Sequence, residues 1–376
     1  MPPRKYRQVA LAVALGAALA AAQAAVAAAQ TPEVVTRGLA NPRGLTVGPD
    51  DRLYVAEAGR GGSGRCIPSP EGGAGSCYGA TGAITRVNPE TGRKTRVLRR
   101  LPSHAVEGGG NATGPHDISF AGDTGYFTVG LGANPAARAR LGAPGRRFAA
   151  LYRWEDGRVR RVADLGAYER RNNPDDGQPT AEVDSNPYSV DATRPGQILV
   201  TDAGGNTLLA VNREGEVSTV SVFPFGQALA PPFLNQPPGT QIPYQPVPTG
   251  VVRSEGRIYV GQLTGFPFPV AGANVYRLRG GARAVQARNF TTITDVAAAP
   301  DGTLYVLQIS TNGIASEDPG PGKLFHIARD GQVTEVPTGA LVQPTGLTVA
   351  PGGDVYIANN GGSATAGQIV RVSRDH

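Results

Sequence analysis

Helix-breaking residues are abundant in this chain, and much else is scarce. Among 376 residues there are 52 Gly and 32 Pro, against 2 Cys, 1 Met, 1 Trp and 4 His. Lysine occurs only at positions 5, 94 and 323. Two Cys with no His near them fail as a zinc site. Charged residues make up 18% and aromatics 6%, with 40% hydrophobic residues, a composition suited to a core of many thin layers. No nucleophile-elbow GxSxG, no HExxH, no phosphate-binding P-loop and no strand–GxGxxG–helix unit occurs. The mature chain offers no convincing helical pattern.

Only one long apolar run exists, Val9–Ala22, behind Arg4, Lys5 and Arg7. Small residues then supply Ala-x-Ala sites such as Ala25-Val26-Ala27. This is the layout of a secretory signal over 1–29, leaving a single domain over 30–376; an uncleaved membrane anchor is the alternative, against which stand the weakly apolar Ala and the interrupting Gln23. With no other stretch able to span a bilayer, the mature protein is expected in an extracellular or periplasmic space, without a membrane span. The net charge of +6 falls to about +3 once the three leader cations are removed, from 33 Lys+Arg against 30 Asp+Glu. A mixed surface of that kind gives no support for nucleic acid as a partner.

Cys66 and Cys77 enclose a short Gly/Pro loop. Outside the cytosol such a pair oxidises, and the spacing is not that of a Cys-x-x-Cys redox motif. A disulfide stapling the loop is expected. Asn111-Ala112-Thr113 and Asn289-Phe290-Thr291 fit the glycosylation sequon.

The informative presence is a repeat. NPRGLTVGPDDRLYVAEAGR (41–60) returns as QPTGLTVAPGGDVYIANNGG (343–362). Intermediate copies open at Pro115-His116-Asp117, Pro187-Tyr188-Ser189, Pro248-Thr249-Gly250 and Ile293-Thr294-Asp295. Each opening leads into an alternating strand, a tight Gly/Asp turn and a second strand (LYVAE, YFTVG, ILVTD, IYVGQ, LYVLQ, VYIAN). A third strand follows, and in five copies a fourth. Alternating apolar and polar residues between such turns signal antiparallel meanders. Six of them make an all-β, six-bladed β-propeller. The sixth copy lacks its fourth strand, and Val34–Arg37 is expected to supply it, closing the ring and covering two sheet edges.

In a meander, alternate connections leave on opposite faces. The first-to-second and third-to-fourth turns are all short. The long insertions (59–81, 102–114, 131–149, 166–186, 224–247, 262–273, 309–322) all belong to the other face, the expected working surface. Near the axis that face should carry two polar rings. The first comprises Arg43, His116, Tyr188, Thr249, Thr294 and Thr345. The second, at the second-strand ends, comprises Glu57, Gly130, Asp202, Gln262, Gln308 and Asn359. Either these side chains line a ligand pocket, or they cap loop backbone as Asx turns do. Asp117 and Asp295 stand where other copies have Gly or Ser, as ring carboxylates or turn caps. The insertion bearing Arg138, Arg140, Arg146 and Arg147 meets an acidic ligand or is a solvated surface. The strap with Phe223, Phe225, Phe233 and Tyr244 either lines a groove or covers the seam between blades 3 and 4.

The strings VDSNPYSV, VTDAGGNTLLAVNREG, LTGFPFPVAGANVYRL and QPTGLTVAPGGDVYIAN resemble the ScyD/ScyE family of exported β-propeller proteins, whose name derives from the gene cluster for a cyanobacterial sunscreen pigment. The likeness runs from about 32 to 374. Individual blades are similar to NHL repeats, where a second strand ending in Asp is common. Asp202 matches that pattern; Glu57, Gln262 and Gln308 depart from it. The resemblance implies the fold and export, and it carries over no catalytic residue.

Two functions follow as expectations. The first is a non-catalytic protein that binds a small molecule, glycan or protein through the loop-rich face, at Arg43, Glu57, His116, Tyr188, Asp202, Gln262, Gln308 and Asn359, with no cofactor. The alternative is a metal-dependent lactonase or hydrolase of the gluconolactonase-like plan, holding Ca²⁺ or another divalent cation through Glu57, Asp202 and Asn359.

Overall fold

The computed structural model describes residues 32–68 and 75–373. The expected leader over 1–29 lies outside the described residues, as does His376. Six antiparallel sheets, each built round a four-stranded meander, form a six-bladed propeller. Blade 1 runs through Pro42–Val47, Leu53–Glu57, Ser76–Val87 and Lys94–Ala105. Blades 2 to 5 span 115–164, 187–222, 248–290 and 293–341. Blade 6 takes three strands from 346–372 and its fourth from Glu33–Leu39.

The closing strand pairs antiparallel with Gly367–Val372, in the register Glu33↔Arg371, Val34↔Val370 and Leu39↔Gly367. Closure thus occurs as the repeat alignment requires. Two register shifts bend the strand around the ring's rim.

The period of two in each second strand sends alternate side chains into opposite seams. Leu53 and Val55 enter the core between blades 6 and 1, with Leu39, Tyr356 and Ile369. Tyr54 and Ala56 enter the core between blades 1 and 2, with Ile118, Phe127 and Phe148. The same division gives one apolar cluster in every other seam. The hydrophobic core is therefore a wheel of six wedges rather than one central mass.

Three features differ from the sequence reading. A helix does occur, Leu165–Asn172, inside the insertion after blade 2. Asp164 caps it, its side chain accepting the Ala167 amide, and Asn173 ends it in the left-handed conformation. Short 3₁₀ turns cover Pro135–Leu141, Ala143–Arg147 and Pro232–Leu234. Second, much of what reads as loop in blade 1 is strand. The third and fourth strands continue past their neighbours' length, pairing Cys77 with Ala105 and Tyr78 with His104. His104 is thus a strand residue, its Nε2 donating to the Leu131 carbonyl (2.9 Å) and its Nδ1 accepting from the Ser76 hydroxyl (2.7 Å). The Cys66–Cys77 disulfide staples this extension to the short strand Cys66–Ile67. Third, the strap after blade 3 folds partly into its own hairpin, Gly226–Leu229 with Gln241–Tyr244. Phe223 is buried against Tyr276 of blade 4, with ring centroids 5.2 Å apart, so it closes the seam. Phe233 stays exposed beside Phe266.

Candidate functional site

The first polar ring serves two purposes at once. Thr249 donates to the Ile293 carbonyl (2.8 Å), Thr294 to Pro344 (3.2 Å) and Thr345 to Pro42 (2.8 Å). His116 Nδ1 reaches the Pro187 carbonyl at 3.2 Å. Each acceptor opens the next blade, so these side chains form an inter-blade belt around the axis. Since a carbonyl only accepts, His116 carries its proton on Nδ1 and offers Nε2 as an acceptor. Burial, followed by the neighbouring Arg43 charge, pushes His116 down to about 3, so it is neutral at ordinary pH. Arg43 spans two loops, donating to Gly361 (2.9 Å) and Ala112 (2.8 Å). Tyr188 lies against His116, centroids 5.2 Å apart, and burial pushes its hydroxyl up to about 12.

The second ring turns away from the axis and into the backbone. Glu57 accepts the Ala40 amide (2.7 Å), the Thr85 hydroxyl and a bidentate pair from Arg96 (2.9 and 2.8 Å). Burial acts to raise its carboxyl, but the bonds from Arg96, Thr85 and Ala40 outweigh it and hold it below the ordinary carboxylate value. Asp202 accepts the Asn186 amide (2.6 Å), the Gly205 amide (3.2 Å) and the Ser185 hydroxyl (2.7 Å). Gln308 takes the Thr291 amide (2.7 Å) and Asn359 the Val342 amide (2.8 Å). Gln262 caps the Asn274 amide (3.1 Å) within its own blade. In four blades the same job is done: the strand end fixes the incoming connection just before the opening tripeptide. Blade 2 has Gly130 at this position because His116 and Asn186 occupy the space. A Cβ there would lie 2.4 Å from each of them. Asn186 compensates by accepting the Leu131 amide (3.2 Å).

Above the first ring opens a cup of about 500 Å³. Arg43, His116, Tyr188, Thr294 and Thr345 form its floor. Every blade adds a loop residue to the wall, among them Asn111, Asp184, Gln245, Leu263, Ile314 and Gly362. All but Gly362, in the short connection before the third strand of blade 6, sit in the long-insertion connections. None of the six second-strand end residues lines it. The wall mixes one carboxylate and several amides with aliphatic side chains. Burial, and then the nearby Asp202, Glu182 and Asp175 charges, push Asp184 up to about 7.

Below the ring the axial channel narrows to about 120 Å³, lined by the first strand of every blade. Asp117 and Asp295 face it. Asp117 accepts the Val190 amide (2.9 Å) and Ser189 hydroxyl (2.7 Å) of the next blade, and Asp295 accepts the Leu347 amide (2.8 Å). They are ring carboxylates and cross-blade caps together. Gly44 and Gly250 stand beside them because a Cβ would lie 2.1 Å from Asp117 and 2.5 Å from Asp295. Burial lifts Asp117 to about 7 and raises Asp295 well above the ordinary value, with mutual repulsion adding to the latter. Among the described residues no three His, Cys, Asp or Glu side chains converge at metal-coordinating spacing. The basic insertion is partly tied down: Arg138 pairs with Asp164 at 2.7 Å.

The wall residues Asn111, Asp184, Gln245 and Ile314 were invisible as a set in the sequence. Their only signal was residence in long connections on one face. No protein-family model matches the chain, and no curated protein matches it by sequence. Solved structures do match its fold. A gluconolactonase from Xanthomonas campestris is 12% identical, with a TM-score of 0.50, over 90% of this chain and 89% of that one. Regucalcin, a calcium-binding protein from Agrobacterium tumefaciens, is 10% identical, TM-score 0.50, over 90% and 94%. A streptogramin B lyase is 12% identical, TM-score 0.45, over 89% and 94%. At such identities the likeness is one of fold alone.

Proposed function

We propose that this chain is an exported six-bladed propeller of the ScyD/ScyE type that binds a small molecule in the cup without transforming it. A glycan end or a protein loop could enter the same opening. One observation carries the reading: connections from all six blades converge on one opening over the axis, with amides, a carboxylate and aliphatic groups in its wall. Such a mixed, concave lining suits a ligand with several hydroxyl or amide groups and an apolar side. The leader-like segment over 1–29 and the Cys66–Cys77 disulfide support export.

The lactonase alternative draws less support. Its ligand trio, Glu57, Asp202 and Asn359, spends its oxygens on main-chain amides and on Arg96. His116, held neutral with its one ring proton given to the Pro187 carbonyl, offers only Nε2, a hydrogen-bond acceptor, to a ligand.

Native mass spectrometry of the protein purified from its own host, followed by titration with the released compound, tests the proposal. Ile314, 39% exposed at the rim, can be enlarged to Trp with little cost to the core. Ile314→Trp should weaken binding at least about tenfold, the scale of 1.4 kcal/mol of lost contact. Unchanged binding in that variant, or turnover of lactones by the wild type, would refute a passive cup.

A further inference from the structure

Between blades 2 and 3 lies a group of acidic side chains with an unusual deficit. Glu169, from the helix Leu165–Asn172, is 2% exposed, and Asp175, from the loop that follows, is 1% exposed. Four buried oxygens here have no hydrogen-bond partner: Glu169 Oε1, Asn173 Oδ1, Asp175 Oδ1 and Asp184 Oδ1. The charges acting on Glu169 are all carboxylates, those of Asp202, Asp175 and Asp184. Where Glu57 answers its burial with Arg96, no ion pair among the described residues involves Glu169, Asp175 or Asp184.

The backbone is arranged to let them meet. A Cβ on Gly205 would lie 2.7 Å from Glu169 Oε2, and one on Gly204 would lie 2.9 Å from Asp184 Oδ1. Two successive glycines thus allow both carboxylates to settle on one stretch of main chain. Asn206 Nδ2 holds the other oxygen of Asp175 at 2.8 Å, which leaves Oδ1 as its spare donor. Asp202 is fully engaged by Ser185, Asn186 and Gly205, and contributes only charge.

Leaving four buried acceptors unmet is costly, most of all where they are charged. A bound cation removes that cost. We propose that Glu169, Asn173, Asp175 and Asp184 form a Ca²⁺ site that ties the insertion after blade 2 to the Gly204-Gly205 turn of blade 3. The donors are all oxygens, with an amide among the carboxylates, as Ca²⁺ accepts and zinc or copper do not favour. Ca²⁺ takes six to eight oxygens in flexible geometry. No three carboxylates among the described residues stand at coordinating spacing without the ion, so binding requires these side chains to close around it. The site is separate from the axis. Asp184 also lines the cup, so the ion would set the position of one wall.

The test is a titration of the purified full chain, stripped with EDTA, with CaCl₂ and separately with MgCl₂. Heat of binding and melting temperature are both read. One Ca²⁺ per chain, a melting temperature raised by several degrees and a weaker Mg²⁺ response are expected, since a ligand of the folded state alone stabilises by mass action. Glu169→Gln and Asp184→Asn each remove an unpaired charge, so both should fold in EDTA. Each should weaken Ca²⁺ at least about tenfold, the scale on which even a ligand's supporting partners act. Asp117→Asn, on the axis, should leave the response intact. No heat and no melting shift in the wild type would overturn the site, as would an undiminished response in both Glu169→Gln and Asp184→Asn. Because the readout is the ion itself, these outcomes stand apart from whether the cup binds a small molecule.

Discussion

Leu39→Ala tests ring closure most directly. Leu39 is the last residue of the closing strand, 0% exposed, and packs in the seam between blades 6 and 1 with Leu45, Val55, Tyr356 and Ile369. The substitution removes three carbon atoms from a site walled by two blades and the strand's own backbone. Transfer alone gives roughly 2.4 kcal/mol at about 0.8 kcal/mol per carbon. The cavity adds to this, because strands fixed by hydrogen bonds on either side collapse poorly, and the total should fall in the range of about 2–5 kcal/mol. Arg37, exposed in the same strand, is the control: Arg37→Ala should change stability by no more than about 0.5 kcal/mol. Equilibrium urea denaturation, followed by tryptophan fluorescence from Trp154 and by far-ultraviolet circular dichroism, measures both. A loss below about 1 kcal/mol for Leu39→Ala would mean that the front segment is not a working part of the wheel.

Two more outcomes follow from the polar rings. Glu57→Gln replaces a bidentate partner of Arg96 and keeps the shape, so it should cost about 1–3 kcal/mol in the same denaturation assay; a neutral result would show that the carboxylate is not needed as a cap. Asp117 lies near 7 in the folded chain against an ordinary 3.8, so the folded state holds an extra proton between those values, and its contribution to stability falls as pH rises from about 4 to 7. His104 and His116, held down to about 4 and 3, act in the opposite sense, their contributions growing as pH rises towards 6.5. The Asp117 effect is isolated by difference: the wild type should lose melting temperature relative to Asp117→Asn across pH 4 to 7, and a constant gap would refute the assignment.

The architecture was legible because propellers write their geometry locally. Leu53, Tyr54, Val55 and Ala56 alternate between two seams, and that alternation stands in the sequence as plainly as in space. The partner of the unfinished sixth meander could be found by aligning the front segment with the preceding repeat. What each ring residue does was not legible. Glu57 is polar at a strand end whether it faces a ligand or an amide, and its partner Arg96 lies 39 residues away on another strand. The helix Leu165–Asn172 is only eight residues long, too brief for a periodic signal inside an insertion. The acidic set of Glu169, Asp175 and Asp184 escaped for a different reason: acids are common in connections, and only a buried oxygen left without a partner on each distinguishes these.

The pairing of Glu33 with Arg371, 338 positions apart, also governs the order of folding. During synthesis the closing strand must wait for a partner made 338 positions later. Five meanders can each gather from near neighbours, but the wheel locks only when its final strand has emerged. Until then two raw edges remain open to other chains. A ribosome stalled before Gly367–Val372 would therefore release a wheel with two aggregation-prone edges still bare.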